Sequence, residues 1–216
     1  MLRLSANLSF LFTEVPFLER FGAAARAGFT GGEFAASITE ALRYAQALCC
    51  PRIHVMSGVT PPGADGVRRA LQHSTLVRNL PLACATAEPQ GVTLLVEALN
   101  PRDVPHYRFS TQAEAHSIRD AVAAPNLKVQ MDFYHTQIVE GDVAAKLERW
   151  LPHVGHLQIA GVPGRHEPDI GEINYAWLLR RVDELGYDGW VGCEYRPQRD
   201  TLSGLAWRER LLVRMS

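Results

Sequence analysis

The sequence predicts an α/β fold in which parallel strands joined by helices form a (β/α) barrel. Short apolar runs alternate with segments of helical spacing from one end of the chain to the other. Four of these runs end on a side chain whose oxygen can bind a metal, namely Glu97, Asp132, Gln158 and Glu194. These residues are 35, 26 and 36 positions apart, and each step is about the length of one strand and one helix.

The first part of the chain contains three predicted strands, at 3–7, 32–34 and 52–56. Helical spacing of apolar residues predicts helices at 16–27, 35–48 and 67–88, and Gly28 ends the first of them. Pro81 lies inside the third helix, where it predicts a kink or a break. Only 17 residues separate Phe34 from Arg52, which is enough for one helix but not for a further strand.

The second part contains four more predicted strands, at 92–99, 128–132, 156–159 and 190–194. We expect helices at 111–122, 142–151, 174–185 and 202–213. Thr111 and Glu114 have the spacing of a capping box at the start of the first of these helices. The total is about seven strands instead of the eight of a closed barrel, which normally needs about 250 residues.

Composition is typical of one globular domain, which we assign to residues 1–216. A net charge of −1 without a basic run argues against a nucleic-acid or membrane partner. The amino terminus is too short and polar for a signal peptide, and no run of about 20 apolar residues can span a bilayer. The four cysteines show no Cys-x-x-Cys spacing and suit reduced thiols. We therefore expect a cytoplasmic protein.

The four strand-end residues predict a divalent metal site. Parallel strands joined by helical crossovers point the same way, so that side chains at their carboxyl ends converge. Three carboxylates and one amide oxygen would repel each other there unless a cation bound among them. Because all four ligands are hard oxygens, Mg²⁺ or Mn²⁺ is expected rather than zinc.

Several motifs in chain order carry a family resemblance. They are Ser5-Ala6-Asn7-Leu8-Ser9, Cys50-Pro51-Arg52-Ile53-His54, Val96-Glu97-Ala98-Leu99-Asn100, Val129-Gln130-Met131-Asp132, Gly155-His156-Leu157-Gln158 and Gly192-Cys193-Glu194-Tyr195-Arg196-Pro197. In this order they resemble the hydroxypyruvate isomerases, a branch of the xylose-isomerase-like TIM barrels. Relative to that family, a helix and a strand are missing between Phe34 and Ala35, which indicates an internal deletion.

The resemblance implies a TIM-like (β/α) barrel with about seven strands. It implies an isomerase that interconverts hydroxypyruvate and tartronate semialdehyde through an enediolate, and therefore a role in glyoxylate metabolism. It also implies that Glu97, Asp132, Gln158 and Glu194 are the metal ligands and that Glu97 and Glu194 are the acid/base pair. Two alternatives remain open: a related oxo-tetronate or sugar-acid isomerase or epimerase, and an inactive truncated product of the family.

A small keto-acid substrate carries a carboxylate, which needs cationic partners. The candidates are His54, Arg102, His135 and Arg196. His54 taken alone is typical of a hydrogen-bonded core residue, and the family motif is what makes it a candidate. The segment Arg165-His166-Glu167 in isolation is typical of a solvated loop, whereas the resemblance implies a mobile loop over the site. The sequence also allows a homo-oligomer.

Overall fold

The structure is a computed structural model that describes residues 3–8, 11–29, 31–33 and 38–215. These residues divide into two compact units. The first unit comprises Met1–Ala35, Gly141–Leu151 and His156–Ser216, and the second comprises Ala36–Glu140 and Pro152–Gly155. The single domain over 1–216 stays a prediction.

The described residues form seven strands and nine α-helices, which alternate along most of the chain. The strands are β1 (Arg3–Asn7), β2 (Gly31–Glu33), β3 (Arg52–His54), β4 (Thr93–Glu97), β5 (Leu127–Asp132), β6 (Val154–Ile159) and β7 (Trp190–Cys193). The helices are α1 (Phe17–Arg26), α2 (Ile38–Ala47), α3 (Gly66–Ala87), α4 (Gln112–Val122), α5 (Phe133–Val139), α6 (Val143–Trp150), α7 (Tyr175–Glu184), α8 (Thr201–Gly204) and α9 (Trp207–Met215).

In the first unit, β1 pairs in parallel with β2 on one side and with β7 on the other. Strand β7 also pairs in parallel with β6, where Gln158 lies opposite Gly192. Every residue of β6 is buried. A strand buried on both faces is typical of a parallel sheet that is covered by helices.

In the second unit, β4 pairs in parallel with β3 and with β5. The strands and the helices α2, α3 and α4 share one apolar core, which contains Leu42, Leu80, Cys84, Leu94, Val96, Ile118 and Val129. The predicted α/β class and the strand count are therefore confirmed for the described residues. The segment around Phe34 and Ala35, where the deletion is predicted, lies outside them.

The predicted capping box is confirmed. Thr111 Oγ1 accepts a hydrogen bond from Glu114 N, and Glu114 Oε2 accepts one from Thr111 N. These bonds satisfy two backbone donors that the first turn of α4 leaves without a helical partner.

Three features of the helices differ from the expectations. Helix α3 runs through the exposed Pro81 without the break that was one of two expected outcomes, whereas the expected kink stays a prediction. Helix α5 was not predicted. The helix expected at 202–213 is two helices, because the chain turns at residues 205–206 before the buried Trp207. None of the described helices combines the length and apolar character needed to cross a membrane.

Candidate functional site

Two predicted ligands and one predicted substrate-binding residue come together in the second unit. Glu97 ends β4 and lies opposite Gln130 of β5. Asp132 is two residues beyond Gln130 and therefore points to the same face of the sheet. His135 follows within the first turn of α5. Glu97, Asp132 and His135 are 2%, 0% and 1% exposed, and each places one ligand atom within 4.8 Å of the others.

Glu97 is held by a neutral donor and adjoins a histidine. Gln130 Nε2 donates a hydrogen bond to Glu97 Oε2 at 2.7 Å. His54 Nδ1 lies 3.5 Å from the same oxygen, so His54 is a neighbour of Glu97, and its role in substrate binding stays a prediction. Burial raises the pKa of Tyr107, and the negative charge of Glu97 raises it further. The Tyr107 hydroxyl group is therefore protonated at neutral pH.

Asp132 is the N-cap of α5, which fixes its carboxylate. Oδ1 accepts a hydrogen bond from Tyr134 N at 2.8 Å, and Thr136 Oγ1 donates to the Asp132 carbonyl oxygen at 2.8 Å. The helix N-terminus also favours a negative charge at this position. Oδ2 lies 3.6 Å from His135 Nε2.

Two buried carboxylates with ligand atoms within 4.8 Å of each other disfavour each other's ionised form, and a bound cation would offset that cost. The cluster of Glu97, Asp132 and His135 could hold a divalent metal, with the two carboxylates as the predicted ligands. The donor set supports the predicted metal site, whereas the identity of the metal stays a prediction.

The other two predicted ligands lie in the first unit. Gln158 is the fifth residue of β6 and is 2% exposed. Glu194 comes directly after β7, and its backbone N–H donates to the Ile159 carbonyl oxygen at 3.2 Å. Since Gln158 lies opposite Gly192, the position of Glu194 is two residues further along on the same face. Their role as ligands stays a prediction.

Arg165 contacts Glu194 directly, although sequence reasoning assigned it no individual role. Its Nη2 donates to Glu194 Oε2 at 2.8 Å. Arg165 and Glu167 are 7% and 5% exposed, so the interpretation of a solvated loop is wrong for these residues. Backbone hydrogen bonds tie the segment to the chain after β7, since Arg196 N donates to the Arg165 carbonyl oxygen at 2.7 Å.

The two remaining predicted substrate-binding residues are exposed. Arg102 lies in the segment between β4 and α4. Arg196 lies two residues after Glu194, and its carbonyl oxygen is 2.9 Å from His166 Nδ1. Their contact with a substrate stays a prediction.

The comparison with protein families gives one match across nearly the whole chain. The model of the xylose isomerase-like TIM barrel matches residues 14–211. The site residues Glu97, Asp132, Gln158 and Glu194 all lie inside the matched region.

Two curated relatives cover almost the full length. A 2-oxo-tetronate isomerase from Cupriavidus necator is 42% identical over 263 residues, which cover 99% of this chain and 100% of the relative. The hydroxypyruvate isomerase of Escherichia coli is 35% identical, with 97% of this chain and 99% of the relative covered. The first alignment is 263 residues long and this chain has 216, so the relative contains residues without a counterpart here.

Solved structures agree on the fold. A crystal structure described as an AP endonuclease of family 2 from Brucella melitensis matches with a TM-score of 0.91 and 39% identity, covering 97% of this chain and 99% of that one. An L-ribulose 3-epimerase matches with a TM-score of 0.78 at 16% identity and supports the fold alone.

Proposed function

This chain belongs to the xylose isomerase-like TIM barrel family and is a sugar-acid isomerase, and we propose that it interconverts hydroxypyruvate and tartronate semialdehyde. The observation that carries the proposal is the buried pair of carboxylates, Glu97 and Asp132, at the ends of two adjacent parallel strands. Active sites of (β/α) barrels are built at this end of the strands.

The reaction moves a proton between adjacent carbon atoms through an enediolate. Removing a proton from carbon is difficult unless the resulting negative charge is stabilised on oxygen. A bound divalent cation, which we propose to be Mg²⁺ or Mn²⁺, would supply that stabilisation as a Lewis acid. The proposed ligands are Glu97, Asp132, Gln158 and Glu194.

Glu97 and Glu194 are the proposed acid/base pair. General acid–base catalysis of this kind contributes roughly 10²–10⁴-fold to the rate. The Gln130 amide donates to Glu97 Oε2 and occupies part of the lone-pair capacity of that oxygen. The other oxygen of the Glu97 carboxylate, Oε1, takes no part in this bond. The Arg165 guanidinium holds Glu194 in its ionised form by a charge-assisted hydrogen bond, which suits a carboxylate that acts first as a base.

The substrate carboxylate requires donors outside the acid/base pair. We propose His54, Arg102, His135 and Arg196 for this role. His54 and His135 are supported by their contacts with Glu97 and Asp132. The two exposed arginines are supported by their places in the segments that follow β4 and β7, since loops at the carboxyl ends of barrel strands carry binding residues.

A second candidate substrate is 2-oxo-tetronate. A specific observation favours it, namely that the Cupriavidus necator relative at 42% identity carries that name over its full length. Both substrates present a carboxylate next to an oxo group, so the same residues serve either reaction. The two substrates differ in size, because 2-oxo-tetronate carries one additional hydroxymethyl group. A site for 2-oxo-tetronate must therefore provide more space than a site for hydroxypyruvate.

The test is turnover of both compounds by protein supplied with Mg²⁺ or Mn²⁺, with kcat/KM measured for each. The compound with the larger kcat/KM is the better assignment. Glu97→Gln is expected to lower kcat by about 10²-fold or more on either compound. Exposed Glu88→Gln, a matched control that changes the same functional group, is expected to leave kcat unchanged.

Two outcomes would contradict the proposal. Wild-type turnover by Glu97→Gln on both compounds would remove Glu97 from the acid/base pair. A wild-type chain that melts cooperatively and elutes as a discrete species, yet turns over neither compound, would favour the inactive member of the family.

A further inference from the structure

Asn100 surrounds one ring nitrogen of His135 with hydrogen-bond donors. Its backbone N lies 3.1 Å from His135 Nδ1, and its side-chain Nδ2 lies 2.6 Å from the same atom. Asn100 is 0% exposed and lies three residues after Glu97. Nothing in the sequence pattern assigned it a role beyond its place in the motif that carries the family resemblance.

The orientation of the Asn100 amide follows from a second hydrogen bond. Asp103 N donates to Asn100 Oδ1 at 2.8 Å, and a backbone N–H can only donate. The oxygen of the amide must therefore face Asp103, which directs the NH₂ group to His135. This removes the usual ambiguity between the oxygen and the nitrogen of an asparagine side chain.

The same logic fixes the tautomer of His135. The Asn100 backbone N–H donates to Nδ1, so that Nδ1 must present its lone pair as an acceptor. A neutral imidazole then carries its proton on Nε2. This is the nitrogen that lies 3.6 Å from Asp132 Oδ2, a separation longer than a hydrogen bond.

A histidine in this state is not suited to bind a metal ion. The Nδ1 lone pair is engaged by Asn100, and Nε2 carries a proton where a metal would need a lone pair. The ring nevertheless lies in the cluster with Glu97 and Asp132, and its position alone would suggest that it is a metal ligand. Its chemistry, a buried N–H beside a carboxylate, is that of a hydrogen-bond donor.

We propose that Asn100 is a positioning residue that fixes His135 as the Nε2–H tautomer, which makes His135 a donor beside Asp132 instead of a metal ligand. The inference rests on the proposed function in one respect, since Asp132 is taken as a ligand. Asn100 acts through His135 and has no contact with the reacting atoms in this account.

The test is nitrogen NMR of the histidine rings in uniformly ¹⁵N-labelled, metal-free protein at neutral pH. His135→Gln assigns the His135 signals by their disappearance. In the wild type we expect an unprotonated Nδ1 and a protonated Nε2, with a scalar coupling across the hydrogen bond between Nδ1 and the backbone nitrogen of Asn100. Added Mg²⁺ is expected to leave the proton on Nε2.

Asn100→Asp makes the test specific. The substitution places a carboxylate opposite Nδ1, which is expected to bring a proton onto that nitrogen. Asn126→Ala is the matched control, because Asn126 also donates its amide to buried groups of the second unit, at the carbonyl oxygens of Cys84 and Val92. It is expected to leave both His135 signals unchanged.

A proton on Nδ1 in the wild type, or loss of the Nε2 proton when Mg²⁺ binds, would overturn the inference. An Asn100→Asp variant that folds and retains the wild-type tautomer would overturn the role of the Asn100 side chain, because the backbone N–H of residue 100 is unchanged in that variant. The wild-type spectrum decides the matter even if that variant does not fold. The spectrum requires no turnover, so a protein inactive on both oxo acids with the expected spectrum would contradict the proposed function alone.

Discussion

Arg165 Nη2 donates a hydrogen bond to Glu194 Oε2 at 2.8 Å, and Arg165 Nε lies 3.4 Å from the Glu194 carbonyl oxygen. The guanidinium group thus reaches both the side chain and the backbone of one residue. Arg165 is 7% exposed and has a φ of 57°. This left-handed backbone conformation is uncommon for a residue other than glycine. The pair joins the segment after β6 to the segment after β7.

Arg165→Met is expected to lower stability and activity together. It leaves a partly buried carboxylate without its cation, and breaking a buried ion pair costs about 3–5 kcal/mol. The part-exposure of Glu194 favours the lower end of that range. Thermal unfolding and steady-state kinetics would measure the two effects. Arg165→Lys, which keeps the charge without the forked geometry, should recover part of both, and a Met variant with wild-type melting and kcat would contradict the role of the pair.

Gln130→Leu is expected to weaken metal binding without unfolding the protein. The change removes the donor to Glu97 Oε2, and loss of such a supporting bond typically costs about 10–100-fold in metal affinity. Isothermal titration with Mn²⁺ would measure the effect. The exposed Gln90 offers the matched control as Gln90→Leu, and equal Mn²⁺ affinity in both variants would show that Gln130 does not support the site.

Glu114→Gln is expected to reduce stability in a pH-dependent way. Burial works against ionisation of Glu114, but hydrogen bonds from the Ser110 and Thr111 backbone N–H groups outweigh it and hold its pKa below the usual range. A carboxyl group with a lowered pKa in the folded state stabilises the native protein at pH values above the unfolded pKa of about 4.3. That contribution is lost as the pH falls through the folded pKa.

The expected loss for Glu114→Gln at pH 7 is about 0.5 kcal/mol, since the side chain is exposed at a helix N-terminus. Urea unfolding at pH 7 and at pH 3 would show a difference from the wild type that shrinks in acid. Exposed Glu88→Gln is the control for a general change in net charge. A difference that grows in acid would contradict the sign of the pKa shift.

Substitution by alanine is expected to destabilise the protein at Gly161 and to stabilise it at Gly66. A Cβ at Gly161 would lie 2.2 Å from the Ile170 carbonyl oxygen and 2.6 Å from that of Glu167, so the turn that carries Arg165 must distort. A Cβ at Gly66 would meet nothing within 4 Å, and alanine there favours the helix by up to about 1 kcal/mol. Thermal melting of the two variants would check this, and a Gly161→Ala protein as stable as Gly66→Ala would contradict the tight turn.

The sequence predicted the strands and the two buried carboxylates because both follow from local rules. Glu97 and Asp132 end apolar runs whose period and length indicate buried parallel strands, and such strands align their carboxyl ends. The capping box of Thr111 and Glu114 was equally local. Each of these features depends on residues that are close together in the chain.

Two of the misses have non-local causes. Arg165 acquires its role from Glu194, 29 residues later, and from a turn that buries it, which residue type alone does not reveal. Asn100 reaches His135 across 35 residues. Pro81 was expected to kink or break α3, and the break is absent because the helix carries this residue on its exposed side, which is a local cause. The one available signal for Arg165 was the resemblance, which implies that the segment Arg165-His166-Glu167 is a loop over the site.

Metal dependence of turnover tests the central claim most directly. Wild-type protein and Asp132→Asn would be stripped with a chelator and assayed on hydroxypyruvate and 2-oxo-tetronate before and after addition of Mn²⁺. The account predicts that stripping lowers the wild-type rate by about 10²-fold or more, that Mn²⁺ restores it, and that Asp132→Asn does not recover. Undiminished turnover by the stripped wild type, or full recovery by Asp132→Asn, would contradict the account.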